Sequence, residues 1–465
     1  MKRFVCLTAM ILAAHGVAEA ANSPVARILH QFDGADLSSP SSNLLQLPDG
    51  SFVGMTSAPI NTTADAGTVF LMSPILRVRT LLAFPADGSV CAGAGSLMQA
   101  SDGNIYGTCS AGGLLRMGTI FRLDASDHVT VLHTFDGSDG QSPTGPLAEG
   151  IDGALYGATQ LGRSNAGTLF KITLDGTFTT LMQLSSESGP SYPAGGLTLG
   201  LDGNLHGVYS IYFEQGFPAP GGDLQIDTAG SVTFPGYFQQ SPWSGAPVID
   251  DSGALYEVGQ AGGESAFNQQ LQALAPGESA SDAIMRLPLY NGSDFVNYVG
   301  DLIRASDGNF YMNATSAIQD PVTPFVEIRL DPTSHSTSFF ALDNYGESPM
   351  LAPLQASDGK LYIANGGGGK YFLGNLMTLN YGLPAPAPRI LALSPASGAV
   401  GDEITLWGAS FVGSTAVSVN GVSAQFTVTA SGFLRFAVPA GATSGPISVT
   451  NAGGTSVSPA NLTVQ

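Results

Sequence analysis

The chain has 465 residues and a formal net charge of −20, a surface charge that excludes nucleic acid and anionic membranes as partners. Hydrophobic residues make up 43% and charged residues only 11%, so intrinsic disorder is excluded as well. Sixty Gly and 29 Pro, with few helix-forming runs, predict many short strands joined by turns.

The chain opens with Met1-Lys2-Arg3, an apolar run from Phe4 to Ala14, and Ala18-Glu19-Ala20. This pattern predicts a signal peptide over residues 1–20 and export of the mature chain to the cell surface, the medium or the periplasm. The apolar run is too short to span a bilayer. Cys6 lacks the small-residue context of a lipoprotein site, and the last residues lack a hydrophobic tail with basic residues, so no transmembrane segment and no anchor are expected. Loss of Lys2, Arg3 and Glu19 leaves a formal charge of −21.

A repeat then governs residues 21–381. A turn signal followed by an apolar and usually an aromatic residue recurs with its glycine at Gly50, Gly103, Gly153, Gly203, Gly253, Gly308 and Gly359, as in Asp102-Gly103-Asn-Ile-Tyr106. In the fourth unit the aromatic is replaced, Asp202-Gly203-Asn-Leu-His206, and in the fifth the turn reads Asp251-Ser-Gly253. Each unit holds four strand-like runs: in the third, Gly145–Glu149 (a), Ala154–Thr159 (b), Gly167–Ile172 (c) and Phe178–Leu184 (d). Four strands in about 50 residues is the period of a propeller blade, and seven units predict a seven-bladed β-propeller. An orphan strand, Ala26–Phe32, precedes the first unit, while the seventh has no strand d after Gly374–Leu379. The orphan is expected to fill that gap and leave no open edge.

The runs Gly118-Thr-Ile-Phe-Arg-Leu-Asp124, Leu132-His-Thr-Phe-Asp-Gly-Ser-Asp-Gly140 and Ala100-Ser-Asp-Gly-Asn-Ile-Tyr-Gly-Thr108 resemble the GloVer tandem repeat of choice-of-anchor bacterial exported proteins. The resemblance covers residues 26–381, is strong in units one to three and weak in units four to six. It implies an exported propeller and carries no activity with it.

Gly382-Leu-Pro-Ala-Pro-Ala-Pro388 reads as a Pro-rich linker over residues 382–387. Beyond it, Val400-Gly-Asp-Glu-Ile-Thr-Leu-Trp-Gly408, Val417-Ser-Val-Asn-Gly421 and Gly445-Pro-Ile-Ser-Val-Thr450 alternate as in a β-sandwich. Residues 388–465 resemble an IPT/TIG domain, which implies an immunoglobulin-like fold used as a spacer or binding module.

Reactive signatures are sparse. The mature histidines, His30, His128, His133, His206 and His335, form no zinc-binding pair, and no G-x-S-x-G elbow is present. No catalytic residue, cofactor or metal site is assigned. Asp136 and Asp139 sit in a short acidic loop that lacks the ligand count of a calcium loop and reads as turn chemistry. The stretch 209–243 departs from the repeat and gathers aromatics. Tyr209, Tyr212, Phe213, Phe217 and Trp243, with Glu214, are the candidate ligand-binding residues, suited to stacking on sugar rings; packing under a long loop is the alternative.

Cys91 and Cys109 are the cysteines left after cleavage. The hairpin turn at Asp102-Gly103 brings the ends of strands a and b together, but register puts the partner of Cys109 nearer residue 96. A disulfide between Cys91 and Cys109 is expected, with the loop at Cys91 folding back by a few residues to reach it. The functional expectation is a monomeric, exported, non-catalytic binding or scaffold protein whose propeller face meets a glycan or protein. The alternative is a propeller enzyme (lyase, lactonase or glycan-active) with its site in the central channel, where carboxylate, amide or imidazole groups would converge.

Overall fold

A computed structural model describes residues 24–34, 39–57, 67–163, 165–185, 190–212, 218–239, 241–242, 245–260, 269–287, 296–299, 301–316, 325–341, 351–367, 370–371 and 373–465. Every regular element among them is a strand. The signal-peptide residues lie outside the described set. No helix of the described residues is long and apolar enough to cross a membrane.

From the N-terminal side the strands form successive antiparallel sheets, each built from consecutive segments. Sheet 1 runs through Leu45–Gln46, Phe52–Thr56, Thr68–Met72 and Val78–Ala83. Sheet 2 holds Gly95–Gln99, Ile105–Cys109, Thr119–Leu123 and Val129–Thr134, and sheet 3 holds Gln141–Glu149, Leu155–Leu161, Thr168–Ile172 and Phe178–Gln183. Sheet 4 holds Ser191–Leu199, Leu205–Tyr212, Pro218–Ile226 and Val232–Tyr237. Sheet 5 has a split inner strand, Ser241–Pro242 and Val248–Ile249, then Leu255–Gln260, Gln269–Leu274 and Asp282–Arg286. Sheet 6 repeats that split with Val296–Val299 and Ile303–Arg304, then Phe310–Ser316, Phe325–Asp331 and Ser336–Ala341. The last sheet takes Leu354–Gln355, Leu361–Asn365 and Asn375–Asn380 from this end of the repeat. Its fourth strand is Val25–Gln31, paired antiparallel with Asn375–Asn380 from Val25↔Asn380 to Gln31↔Asn375.

The recurrent turn has a shared chemistry. Each Asp-Gly glycine sits at positive φ, from +76° to +86°, a region that a Cβ disfavours. The turn Asp accepts the N–H of the residue two further on: 3.0 Å at Asp102, 3.2 Å at Asp152, 3.1 Å at Asp307. Its other oxygen accepts the hydroxyl of the tyrosine that follows, at 3.0 Å for Tyr106, 2.8 Å for Tyr156, 2.9 Å for Tyr311 and 3.1 Å for Tyr362. The tyrosine thus buries its ring in the core and satisfies its hydroxyl on the turn. In sheet 5 Ser252 replaces the turn Asp. The acceptor there is Asp250, which takes the Tyr256 hydroxyl at 3.1 Å, while Asp251 points elsewhere.

The cores lie between sheets. One cluster joins Val53, Met55 and Val69 to Ile105 and Phe121; another joins Tyr106 and Ile120 to Leu155 and Phe170. The series continues sheet by sheet, and the cluster of Phe52, Phe70, Tyr362 and Leu376 joins sheet 1 to the last sheet. A polar clasp repeats on the same pattern. Glu149 of sheet 3 accepts the N–H and hydroxyl of Ser101 in sheet 2, at 2.7 and 2.5 Å. Gln355 of the last sheet holds Ser306 in sheet 6, at 2.8 Å in both directions. Gln46 of sheet 1 holds Ser357 in the last sheet, at 3.0 and 3.1 Å.

Residues from Arg389 onward form a sandwich of two sheets around Ile404, Leu406, Phe411, Phe436, Val449 and Leu462. It packs against the turn ends of the repeat sheets. Trp407, Ala430 and Phe433 meet Met98, Ile151 and Leu199. Arg389 donates to the carbonyls of Ile249 (2.7 Å) and Asp250 (2.5 Å) and pairs with Asp251 at 3.1 Å. The connecting segment is held too: the Pro384 carbonyl accepts from Ser306 at 2.8 Å and the Pro386 carbonyl from Asn451 at 3.0 Å.

Candidate functional site

Sheet 4 departs from the repeat's chemistry at a paired position of strands c and d. At this cross-strand pair, sheets 1, 2, 3 and 5 place Val69–Leu82, Ile120–His133, Leu169–Met182 and Leu271–Met285, and sheet 6 places Glu327 opposite Phe340. Sheet 4 places Asp223 opposite Gly236. The volume lost at both positions opens a cleft of about 560 Å³ between sheets 4 and 5. Its lining includes Asp202, His206, Asp223, Gln225, Ser252 and Glu278, with apolar walls from Leu274, Pro235 and Pro276.

Asp223 is only 2% exposed, and a buried carboxylate is costly without a partner. His206, in the place of the usual tyrosine, supplies it. His206 Nδ1 lies 3.3 Å from Asp223 Oδ1, and its Nε2 lies 3.2 Å from Asp202 Oδ1. Gln225 Nε2 donates to Asp202 Oδ2 at 2.7 Å. Burial works against a charged imidazole, but the two carboxylates outweigh it and hold the His206 pKa above its usual value. Burial raises Asp223, with His206 opposing. Asp202 is held below the usual range: its burial is overcome by the Asn204 N–H and by His206. Both imidazole nitrogens are engaged, so the ring offers no free lone pair to a metal ion.

The axis of the sheets carries a second polar pair. Inner strands approach closely: a Cβ on Gly145 would lie 2.4 Å from Gly196 N, one on Gly195 would lie 2.1 Å from the Gly245 carbonyl carbon, and one on Gly245 would lie 2.6 Å from Asp301 Oδ1. Asp301 Oδ2 accepts from Asn43 Nδ2 at 3.2 Å, and Asn43 Oδ1 accepts the Ala352 N–H at 2.8 Å. Burial raises the Asp301 pKa, with Asn43 opposing. Under the sandwich, burial pushes Glu149 up to about 7, against the two bonds from Ser101.

Of the aromatic candidates, Tyr209 is turned into the core. It is 6% exposed, with Phe234 edge-on at 5.2 Å, so its ring is not a stacking platform. Tyr212 ends a strand at the edge of the described residues. Phe213, Glu214, Phe217 and Trp243 lie outside them. Asp139 and Asp136 are spent on their turn, on His133 at 2.8 Å and on Ser138. Cys91 and Cys109 form a disulfide with Cα atoms 5.4 Å apart. Cys109 pairs in register with Gly95, and the loop folds back through Ala92 N–H to the Ala111 carbonyl at 2.7 Å.

Residues 19–217 match the Gloeobacter/Verrucomicrobia repeat, and residues 388–464 match the IPT/TIG domain. The N-terminal part of the chain thus carries the Gloeobacter/Verrucomicrobia repeat, and its C-terminal end carries an IPT/TIG domain. No curated protein matches it. Among solved structures it is similar to a streptogramin B lyase, at 16% identity and a TM-score of 0.51, over 78% of this chain and 99% of that one. It is also similar to an ulvan lyase of a new polysaccharide lyase family, at 10% identity and a TM-score of 0.50, over 75% of this chain and 95% of that one. At these identities the likeness shows a β-propeller-like fold and no more.

Proposed function

We propose that the protein is an exported, non-catalytic binding or scaffold protein, a seven-bladed propeller closed by its N-terminal strand and followed by an IPT/TIG domain from residue 388. Each repeat sheet counts as one blade. The clasp of Gln46 on Ser357, the same contact that joins neighbouring sheets, supports a closed ring of seven. The disulfide supports an oxidising compartment.

The observation that carries the binding reading is the placement of the IPT/TIG domain over the turn ends of the sheets, through Trp407, Phe433 and Arg389. The IPT/TIG domain covers part of that face. The opposite ends are those where strands b lead to c and d to a; Tyr212 ends strand b of sheet 4, and Phe213, Glu214 and Phe217 fall between it and strand c in the sequence. Trp243, just after Ser241–Pro242 of sheet 5, follows a d-to-a connection. This face is the proposed contact for a glycan or protein. A glycan screen with the full-length mature chain tests it, alongside a Tyr212→Ala/Phe213→Ala/Trp243→Ala variant. Retention of a glycan that the variant loses, with unchanged unfolding, is expected. Equal binding by both proteins removes these residues from the proposal.

The second reading, an enzyme acting in the central channel, draws on Asp301 and Asn43 at the axis. An activity found on a glycan substrate and abolished by Asp301→Asn would favour it.

A further inference from the structure

The cleft between sheets 4 and 5 lies at the turn ends of its strands, away from the aromatic stretch at Tyr212, and has no part in the binding face above. We propose that it is a separate binding site for a small ligand carrying a primary ammonium group on a ring or short apolar body.

Three observations converge. The cleft is built by substitution within a repeat: Asp223 and Gly236 stand where sister sheets put Leu169 and Met182, or Leu271 and Met285. Burial of apolar side chains would be the cheaper choice for stability at this pair. Next, the buried carboxylate is half used. Asp223 Oδ1 faces His206, whereas Oδ2 has no hydrogen-bond partner among the described residues, and Asp223 lines the cleft. An acceptor in that position is left for a donor that enters from outside. Finally, the lining is acidic. It sets three carboxyl groups, Asp202, Asp223 and Glu278, against the single imidazole of His206, in a cleft whose walls at Leu274, Pro235 and Pro276 suit an uncharged ring or chain. The volume is that of a small-molecule site. An ammonium supplies three N–H donors and the opposite charge; an acetylated amine supplies one neutral donor, and an anion is repelled.

Calorimetric titration of the full-length mature protein tests this, with the free-amine disaccharide of glucosamine and with lysine amide as the ring and chain probes. Their N-acetylated forms are the controls. Binding of at least one free amine is expected, with the acetylated form weaker by roughly tenfold or more. Asp223→Asn, which keeps shape and removes charge, should lose a similar factor. The double variant His206→Tyr/Asp223→Leu gives sheet 4 the residues of its sister sheets, so it should fold with an unfolding midpoint no lower than the native chain and bind neither amine. No binding of either amine by the native chain overturns the proposal. So does undiminished binding by Asp223→Asn, or by the folded double variant.

Discussion

Replacing Glu149 by Gln separates the geometry of the inter-sheet clasp from the charge it buries. Gln46 and Gln355 make the same clasp with an amide, the oxygen accepting the Ser N–H and the nitrogen donating to the Ser hydroxyl. The amide of the Glu149→Gln variant should therefore keep both bonds to Ser101. What the substitution removes is the burial of a carboxylate, which lifts the Glu149 pKa from an ordinary 4.5 to about 7. A folded-state pKa above the unfolded one means that the folded chain binds the extra proton between those two values. Stability is therefore lost as pH rises through the window from 4.5 to about 7. At about 1.4 kcal/mol per pKa unit the full loss is about 3 kcal/mol above the window and below about 1 kcal/mol near pH 5. Denaturant unfolding of both proteins near pH 5 and pH 8 measures it. Glu149→Gln should be close to neutral at the lower pH and stabilising by about 3 kcal/mol at the higher. A gain equal at both pH values, or a loss at the higher one, refutes the account of Glu149 as a charge held at a cost.

Two further outcomes are expected. Deleting Val25–Gln31 strips the last sheet of its fourth strand and should lower the unfolding midpoint far more than removing the IPT/TIG domain; a midpoint within a few degrees of the native one defeats the closure. Denatured, unreduced mature protein should show no free thiol, and Cys91→Ser/Cys109→Ser should cost about 3 kcal/mol in unfolding free energy for a bridge across 18 residues. Two titratable thiols per chain would mean that the bridge does not form in solution.

Much of the architecture was legible because its signals are local. An Asp-Gly pair followed by an apolar residue and a tyrosine writes turn, strand and hydroxyl partner within five residues, as Asp102 to Tyr106 show. The disulfide was legible for the same reason: its two ends flank one hairpin. The clasps were not, since Glu149 meets Ser101 at a separation of 48 and Gln46 meets Ser357 at 311. Nothing in either local sequence announces the other. The cleft had one visible sign, His206 in a tyrosine's place. Its meaning depended on Asp223, an acidic residue whose burial becomes apparent only once strand c is set in register with Gly236. The packing of the IPT/TIG domain was hidden as well, because residues 382–388 read as a spacer although Pro384 and Pro386 are both hydrogen-bonded to their surroundings.

The pairing of Val25–Gln31 with Asn375–Asn380 also sets the order in which the molecule is completed. These strands are about 350 residues apart, so the first strand to be synthesised waits for one of the last made of the repeat. Closing a loop of that length costs roughly 5 kcal/mol of chain entropy, which the finished sheet must return before the native state is reached. Until then the last sheet keeps an open edge that any free copy of Val25–Gln31 matches, including one from a second molecule. The pairing that completes the last sheet from the other end of the repeat therefore makes strand exchange between chains the characteristic hazard of its assembly.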